Sequence, residues 1–115
     1  MNVFENIPYQ DDKMGNRKLV DEDHLLVMQI ALRPGQLVPQ HNANSNVRLL
    51  VLNGDLQVSL DGIAASATKG DLVPVNYKTP MSIKNVGAED ATFLVFKTPN
   101  PSLVDRFSEM VKESK

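Results

Sequence analysis

The sequence predicts a small all-β antiparallel barrel, because short apolar runs alternate with turn signals at nearly regular spacing between residues 33 and 85. The turn signals are dipeptides that favour tight turns or left-handed backbone: Pro34-Gly35, Asn53-Gly54, Asp61-Gly62 and Gly70-Asp71. The chain has 115 residues, which is the length of a single domain and allows about two-thirds of the unfolded surface to be buried. We therefore expect one domain with one core.

Composition excludes several classes of function. The formal net charge is −2, from 12 basic and 14 acidic side chains, and no concentrated positive field is present to attract nucleic acid or an anionic membrane. The chain has no cysteine, which excludes disulfides, thiolate metal ligands and thiol catalysis. The first ten residues lack a signal-peptide pattern, and the longest apolar-rich run, residues 25–32, is too short to span a bilayer. These features predict a soluble, cytoplasmic protein.

An arm at residues 1–17 precedes the strands, and Pro8 rules out a regular helix within it. The arm either packs a few side chains on the barrel or crosses to a second subunit. Residues 25–33 form the strongest predicted strand, which is apolar on both faces except at Gln29, so we expect both faces to be covered. The other predicted strands are residues 18–20, 37–41, 47–52, 55–60, 63–67, 72–75, 81–84 and 91–97.

Two dipeptides predict consecutive hairpins in the middle of the chain. Asn53-Gly54 is a preferred pair for a type I′ turn, so strand 47–52 should pair with strand 55–60. Asp61-Gly62 repeats the signal, so strand 63–67 should pair back on strand 55–60. The result would be a three-stranded meander with Leu56, Val58 and Leu60 on one face and Gln57 and Ser59 on the other.

The barrel is predicted to occupy residues 18–98, and a short amphipathic helix to follow at residues 100–113. Asn100 suits the N-cap position, and Pro101 suits the first helical position, where its missing N–H is not needed. Apolar residues then recur at helical spacing, which predicts that the helix packs against the outside of the barrel. These apolar residues are Leu103, Phe107, Met110 and Val111.

Two motifs make the sequence similar to the cupin superfamily. The first cupin motif joins a glycine to a His-any-His pair, a glutamate and a second glycine, and Gly35, His41 and Gly54 fall in its register. The second motif begins with a glycine and ends with an asparagine, and Gly70 and Asn85 match those positions. The resemblance covers roughly residues 25–97. It implies a compact jelly-roll β-barrel, commonly dimeric.

The same resemblance locates the four positions at which cupins hold a metal ion. His41 matches the first histidine, but Ala43, Val47 and Met81 occupy the positions of the second histidine, the glutamate and the third histidine. Alanine and valine carry no donor atom, and a thioether suits Cu(I) better than Zn, Fe or Mn. The sequence therefore predicts no metal and no cofactor at this site.

Several polar residues are candidates for binding a ligand. His41 either bonds a backbone carbonyl or a nearby Asn side chain, or faces a ligand as a hydrogen-bonding group or general base. Gln29 and Gln57 interrupt apolar strands and face either solvent, a subunit interface or a cavity. In the loop before strand 81–84, Lys78 would attract an anion and Tyr77 would stack on a planar ligand. The full candidate set is His41, Gln57, Asn76, Tyr77, Lys78 and Met81.

These features favour a metal-free cupin barrel that binds a small molecule or acts as a sensor or scaffold, and that forms a homodimer. One alternative is a metal-free isomerase or epimerase with His41 as the base and Tyr77 as the acid. A second is a metal-dependent dioxygenase, isomerase or decarboxylase, in which Asn44 or Asn46 would have to supply the missing ligands. A third is a purely structural dimer with a filled barrel. No catalytic residue is assigned beyond the candidate His41.

Overall fold

The computed structural model describes residues 1–102, which form nine β-strands. The strands are β1 (Gly15–Glu22), β2 (Leu25–Leu32), β3 (Leu37–Asn42), β4 (Asn46–Asn53), β5 (Asp55–Leu60), β6 (Ile63–Thr68), β7 (Leu72–Val75), β8 (Pro80–Asn85) and β9 (Ala91–Thr98). A five-stranded sheet has the order β1-β2-β9-β4-β7, and a four-stranded sheet has the order β3-β8-β5-β6. All of their pairings are antiparallel.

The core lies between the two sheets, where inward-facing residues of both meet. Phe93 and Leu32 are its largest fully buried apolar side chains, and alternate residues of each strand contribute to it because side chains alternate across a pleated strand. Both faces of β2 are covered, as the sequence predicts: Leu32 is buried on the inner face, and Val27 and Gln29 are buried on the outer face. The predicted all-β jelly-roll class is confirmed.

The strand boundaries differ from the predicted ones mainly at the start. β1 begins at Gly15, so the arm ends before the predicted boundary at residue 17 and the barrel starts before residue 18. A Cβ on Gly15 would lie 1.5 Å from the carbonyl oxygen of Pro8. The arm therefore passes against the first residue of β1, where only a residue without a side chain leaves it room.

The predicted hairpin at Asn53-Gly54 is wrong. β4 pairs with β9 on one side and β7 on the other, whereas β5 pairs with β8 and β6 in the opposite sheet. The dipeptide therefore carries the chain from one sheet to the other. Gly54 has φ +97°, and a Cβ there would lie 2.4 Å from the Cβ of Ala91. A close approach to β9 requires this glycine, which the local turn pattern did not reveal.

The second predicted hairpin is present. Asp61 and Gly62 both have positive φ, 52° and 81°, as a type I′ turn requires, and Leu60 pairs with Ile63 across it. Leu56 and Val58 are buried and Gln57 is exposed. Only the β5–β6 half of the predicted three-stranded meander is therefore correct.

The N-terminal arm packs on the outer face of its own barrel. The guanidinium of Arg17 donates hydrogen bonds to the carbonyl oxygens of Glu5 and Asn6, both at 3.0 Å. Gln29 Nε2 donates to the carbonyl oxygen of Val3 at 2.8 Å. The outer face of β2 is thus covered by the arm of the same chain.

The start of the predicted C-terminal helix has the expected cap. Asn100 Oδ1 accepts a hydrogen bond from the Ser102 backbone N–H at 3.1 Å, and Pro101 and Ser102 have helical backbone. The remainder of the predicted helix, residues 103–113, lies outside the described residues. Within residues 1–102, no helix is long and apolar enough to cross a bilayer.

Candidate ligand-binding cavity

A cavity of about 410 Å³ lies between the two sheets. This volume falls in the range of sites that bind small molecules. Most of the wall is apolar and is supplied by the inner faces of β2, β3, β4, β8 and β9. The apolar lining residues are Met14, Met28, Ile30, Val38, Pro39, Ala43, Val47, Met81, Ile83, Phe93 and Val95.

Polar side chains line only the opening of this cavity. Four of them are solvent-exposed and the fifth, Lys97, is partly buried. We call this group the mouth, and it comprises Asn16, Gln40, His41, Asn44 and Lys97. An apolar interior with a few polar groups at one end suits a ligand that is itself apolar with a polar end.

A bulge in β3 brings His41 to the cavity. Val38 pairs with Ile83 and His41 pairs with Met81, so the register advances three residues on β3 and two on β8. Val38 and Ile83 face the cavity, and strict alternation from Val38 would turn His41 outward. The extra residue in the bulge reverses this, and His41 faces the same side as Met81.

The proton on His41 is fixed by a local hydrogen bond. Nδ1 lies 2.9 Å from the carbonyl oxygen of Pro39. Because a carbonyl oxygen only accepts, Nδ1 carries the proton of the neutral imidazole and Nε2 keeps its lone pair. His41 therefore makes the carbonyl contact expected of it and also presents an acceptor at the mouth.

The four positions that match the cupin metal ligands all line this one cavity. They are His41, Ala43, Val47 and Met81. Ala43, Val47 and Met81 are buried, so the inner end of the site is apolar. Among residues 1–102, no group of three or more His, Asp or Glu side chains is placed to hold a metal ion.

The sequence patterns did not single out Lys97 as a ligand candidate. It alternates with Phe93 and Val95 and so faces inward near the end of β9. Its Nζ donates to Asn44 Oδ1 at 3.1 Å. Burial lowers the pKa of the Lys97 amine. The signal that could have identified Lys97 is its position, because it shares one face of the predicted strand with Phe93 and Val95.

The other predicted ligand residues do not line the cavity. Gln57 is exposed on the outer face of the four-stranded sheet. Asn76, Tyr77 and Lys78 are exposed in the loop between β7 and β8, where the Lys78 ammonium lies 5.5 Å from the centroid of the Tyr77 ring. The backbone of this loop pairs with Ala43, since Lys78 N donates to the Ala43 carbonyl at 2.8 Å. The loop thus supports the wall of the cavity from behind.

Asn85, the last residue of the second motif, has a structural role. Its side chain is 1 % exposed and its Nδ2 donates to the carbonyl oxygens of Leu32 and Glu89, both at 2.9 Å. Its Oδ1 accepts from the Gly87 N–H at 3.0 Å. Asn85 therefore ties the β8–β9 turn to the end of β2.

A second cleft of about 290 Å³ opens between the β5–β6 hairpin and β7. Its lining is almost entirely apolar, with Ser66 as the one hydroxyl: Val58, Leu60, Ile63, Ala65, Ser66, Ala67 and Val73. No charged group among the described lining residues would orient a ligand there. The first cavity is therefore the better candidate site.

Comparison with known proteins agrees with this architecture. No protein-family model matches the chain. The uncharacterized protein MJ0764 of Methanocaldococcus jannaschii is 29 % identical over 96 residues, which cover 83 % of each protein. The crystal structure of an RmlC-like cupin family protein from that organism, with a double-stranded β-helix fold, superposes with a TM-score of 0.75 at 27 % identity, covering 84 % of this chain and 92 % of that one.

More distant structures have the same fold. The protein TT1209 from Thermus thermophilus superposes with a TM-score of 0.80 at 22 % identity, covering 86 % of this chain and 95 % of that one. An RmlC-like cupin from Desulfovibrio desulfuricans gives 0.78 at 20 % identity, covering 86 % and 94 %. The sheet order, the inner cavity and these likenesses define the class as a double-stranded β-helix barrel. The chain has the fold of a small cupin superfamily protein.

Proposed function

We propose that this cupin barrel binds a small molecule in the cavity beside His41. The observation that carries the proposal is the cavity itself: about 410 Å³ between the sheets, apolar inside and polar only at the mouth. A barrel that served only as a structural dimer would fill this space with side chains, as protein interiors are normally close-packed. The cavity instead leaves apolar surface that a ligand can cover.

The proposed site works without a metal ion. Among the described lining residues, only His41 carries an imidazole, the other three family positions offer no hard donor, and the Lys97 ammonium is a cation at the mouth. A divalent first-row ion needs several imidazole or carboxylate ligands. The residues present therefore do not fit the family's metal, and binding in this proposal depends on apolar contact and hydrogen bonds.

A pair of variants tests the site. Val47→Phe would extend a phenyl ring into the cavity, and Ala65→Phe would add a ring to the second cleft as a matched control. Apolar small molecules would be screened by thermal shift, and hits measured by isothermal titration calorimetry. We expect hits to bind the wild type and Ala65→Phe but not Val47→Phe. Hits that bind Val47→Phe equally well, or a screen without hits, would contradict the proposal.

A metal-free acid–base enzyme is the second candidate, favoured by the Nε2 lone pair of His41 at the mouth. The sequence predicts His41 as the base and Tyr77 as the acid, but Tyr77 does not line the cavity. The proton donor would therefore have to be one of the mouth residues. The distinguishing assay is exchange of a ligand C–H proton in deuterated water. Exchange by the wild type that is lost in His41→Ala would support the enzyme, whereas binding by the wild type without exchange would leave only the binding function.

The homodimer, the sensor or scaffold role and the cytoplasmic location stay predictions. Light scattering of the purified chain at several concentrations measures the subunit number directly. In a dimer with exchanged arms, the contacts of Arg17 and Gln29 with the arm would be made by the partner's arm in the same geometry. A monomer at all concentrations would contradict the predicted dimer.

A further inference from the structure

Lys97 is held among apolar neighbours on the inner face of the five-stranded sheet. Its cross-strand neighbours are Leu26 on β2 and Val47 on β4, and Val95 precedes it on the same face of β9. Directly opposite residues of antiparallel strands face the same side. The stem of the Lys97 side chain therefore lies between apolar side chains, and its ammonium reaches Asn44 at the mouth. Val47 stands where the family pattern has its glutamate.

No carboxylate offsets this charge in the described part of the chain. Ion pairs between described residues join Lys18 to Asp21, His24 to Glu22, and Arg33 to both Asp11 and Asp90, and none of these pairs involves Lys97. The recorded contact of the Lys97 ammonium is with the neutral amide oxygen of Asn44. Burial also lowers the pKa of this amine with no opposing charge effect from an acidic group. A partly desolvated cation is stabilised by an anion placed beside it.

We propose that the ligand is an amphipathic monoanion, a carboxylate with an apolar tail, an inference that rests on the proposed small-molecule function. The carboxylate binds the Lys97 ammonium at the mouth through charge-assisted hydrogen bonds. The amides of Asn16 and Asn44 line the same mouth and add neutral donors. The tail enters the apolar interior towards Phe93 and Met81. Lys97 is then the residue that sets specificity for the anion.

The charge count favours one negative charge on the ligand. Lys97 is the only lysine or arginine among the described lining residues. A phosphate or a dicarboxylate would bring a second negative charge without a second cation to meet it. Within residues 1–102, the interior lining offers no polar side chain for a second charged end.

The experiment compares ligands that differ only in the head group. Decanoate, decanol and decylamine would be titrated by calorimetry into the wild type, Lys97→Met, Lys97→Arg and the control Lys84→Met, whose lysine is exposed on the opposite sheet. We expect the wild type and Lys84→Met to bind decanoate at least about tenfold more tightly than decanol, and decylamine most weakly. Lys97→Met should lose this preference while still binding decanol, and Lys97→Arg should retain it.

The outcomes separate this inference from the proposed function. If decanoate and decanol bind the wild type equally, or if Lys97→Met keeps the preference, the carboxylate inference is refuted and the cavity remains a neutral apolar site. If none of the three probes binds the wild type, both proposals fail. Both also fail if the probes bind Val47→Phe as tightly as the wild type, because binding would then lie outside the cavity. Circular dichroism of each variant checks that the barrel is folded. If Lys97→Met does not fold, Lys97→Arg still tests the inference, because loss of the decanoate preference in that variant would contradict it.

Discussion

Asn85 provides the sharpest test of how the second motif stabilises this barrel. Its buried side chain makes three hydrogen bonds, two donated to the carbonyls of Leu32 and Glu89 and one accepted from Gly87. Asn85→Ala removes all three, and water has little access because the residue is 1 % exposed. Each bond contributes about 1 kcal/mol net, so we expect the variant to lose about 3 kcal/mol of unfolding free energy.

Asn85→Asp refines the same test. The aspartate would still accept from Gly87, but its second oxygen would face the carbonyl oxygens of Leu32 and Glu89, where the amide donates. A buried carboxylate against two acceptors is unfavourable, so the loss should be at least as large as in Asn85→Ala. Asn76→Ala, at an exposed asparagine, serves as the control and should change stability by no more than about 0.5 kcal/mol.

Urea unfolding followed by far-UV circular dichroism measures these differences. The slope of free energy against denaturant should stay constant, because the variants expose the same surface on unfolding. For a chain of this size, a loss of about 3 kcal/mol also lowers Tm by about 10 °C. An Asn85→Ala protein as stable as Asn76→Ala would refute the reasoning, because the three hydrogen bonds would then contribute nothing to the barrel.

Three further changes probe other parts of the fold. Gly54→Ala should lower the unfolding free energy by more than about 2 kcal/mol, because of its left-handed backbone and the clash with β9. In the control Gly62→Ala, the new methyl group meets nothing within 4 Å, and the loss should be about 1 kcal/mol. Equal losses in urea unfolding would be inconsistent with the sheet crossover. Gln29→Leu should lose about 2 kcal/mol and release the arm to trypsin, because three hydrogen bonds are lost, while the exposed Gln57→Leu should be neutral. The burial-lowered pKa of Lys97 means that the unfolded chain binds more protons between that pKa and the ordinary value of 10.5. Stability therefore rises with pH across this window, and the wild-type curve, but not that of Lys97→Met, should show this rise.

The strand pattern was largely predictable because it depends on local chemistry. The apolar runs of β2 and β9, the alternation of β5 and the positive φ of Asp61 and Gly62 are properties of short stretches. The spacing of Gly35, His41, Gly70 and Asn85 also identified the fold through resemblance. These features persist whichever strand lies beside which.

The sequence could not distinguish residues that look alike in one dimension. Gln29 and Gln57 both interrupt apolar strands, yet Gln29 is 0 % exposed with its side chain fully bonded and Gln57 faces solvent. Asn53-Gly54 and Asp61-Gly62 both resemble hairpin turns, and only the second is one. In each pair the outcome depends on a strand or arm that is distant in the sequence.

By itself, the sequence determined the all-β class, most strand positions, the helix cap at Asn100 and the apolar character of three of the four family metal positions. Only the tertiary structure decided that β4 and β5 belong to different sheets, that a bulge turns His41 inward and that Lys97 reaches the same cavity. The physical reason is that turn preference and side-chain alternation are set by neighbouring residues. Sheet pairing, burial and the electrostatic surroundings of a side chain are set by contacts between residues far apart in the chain.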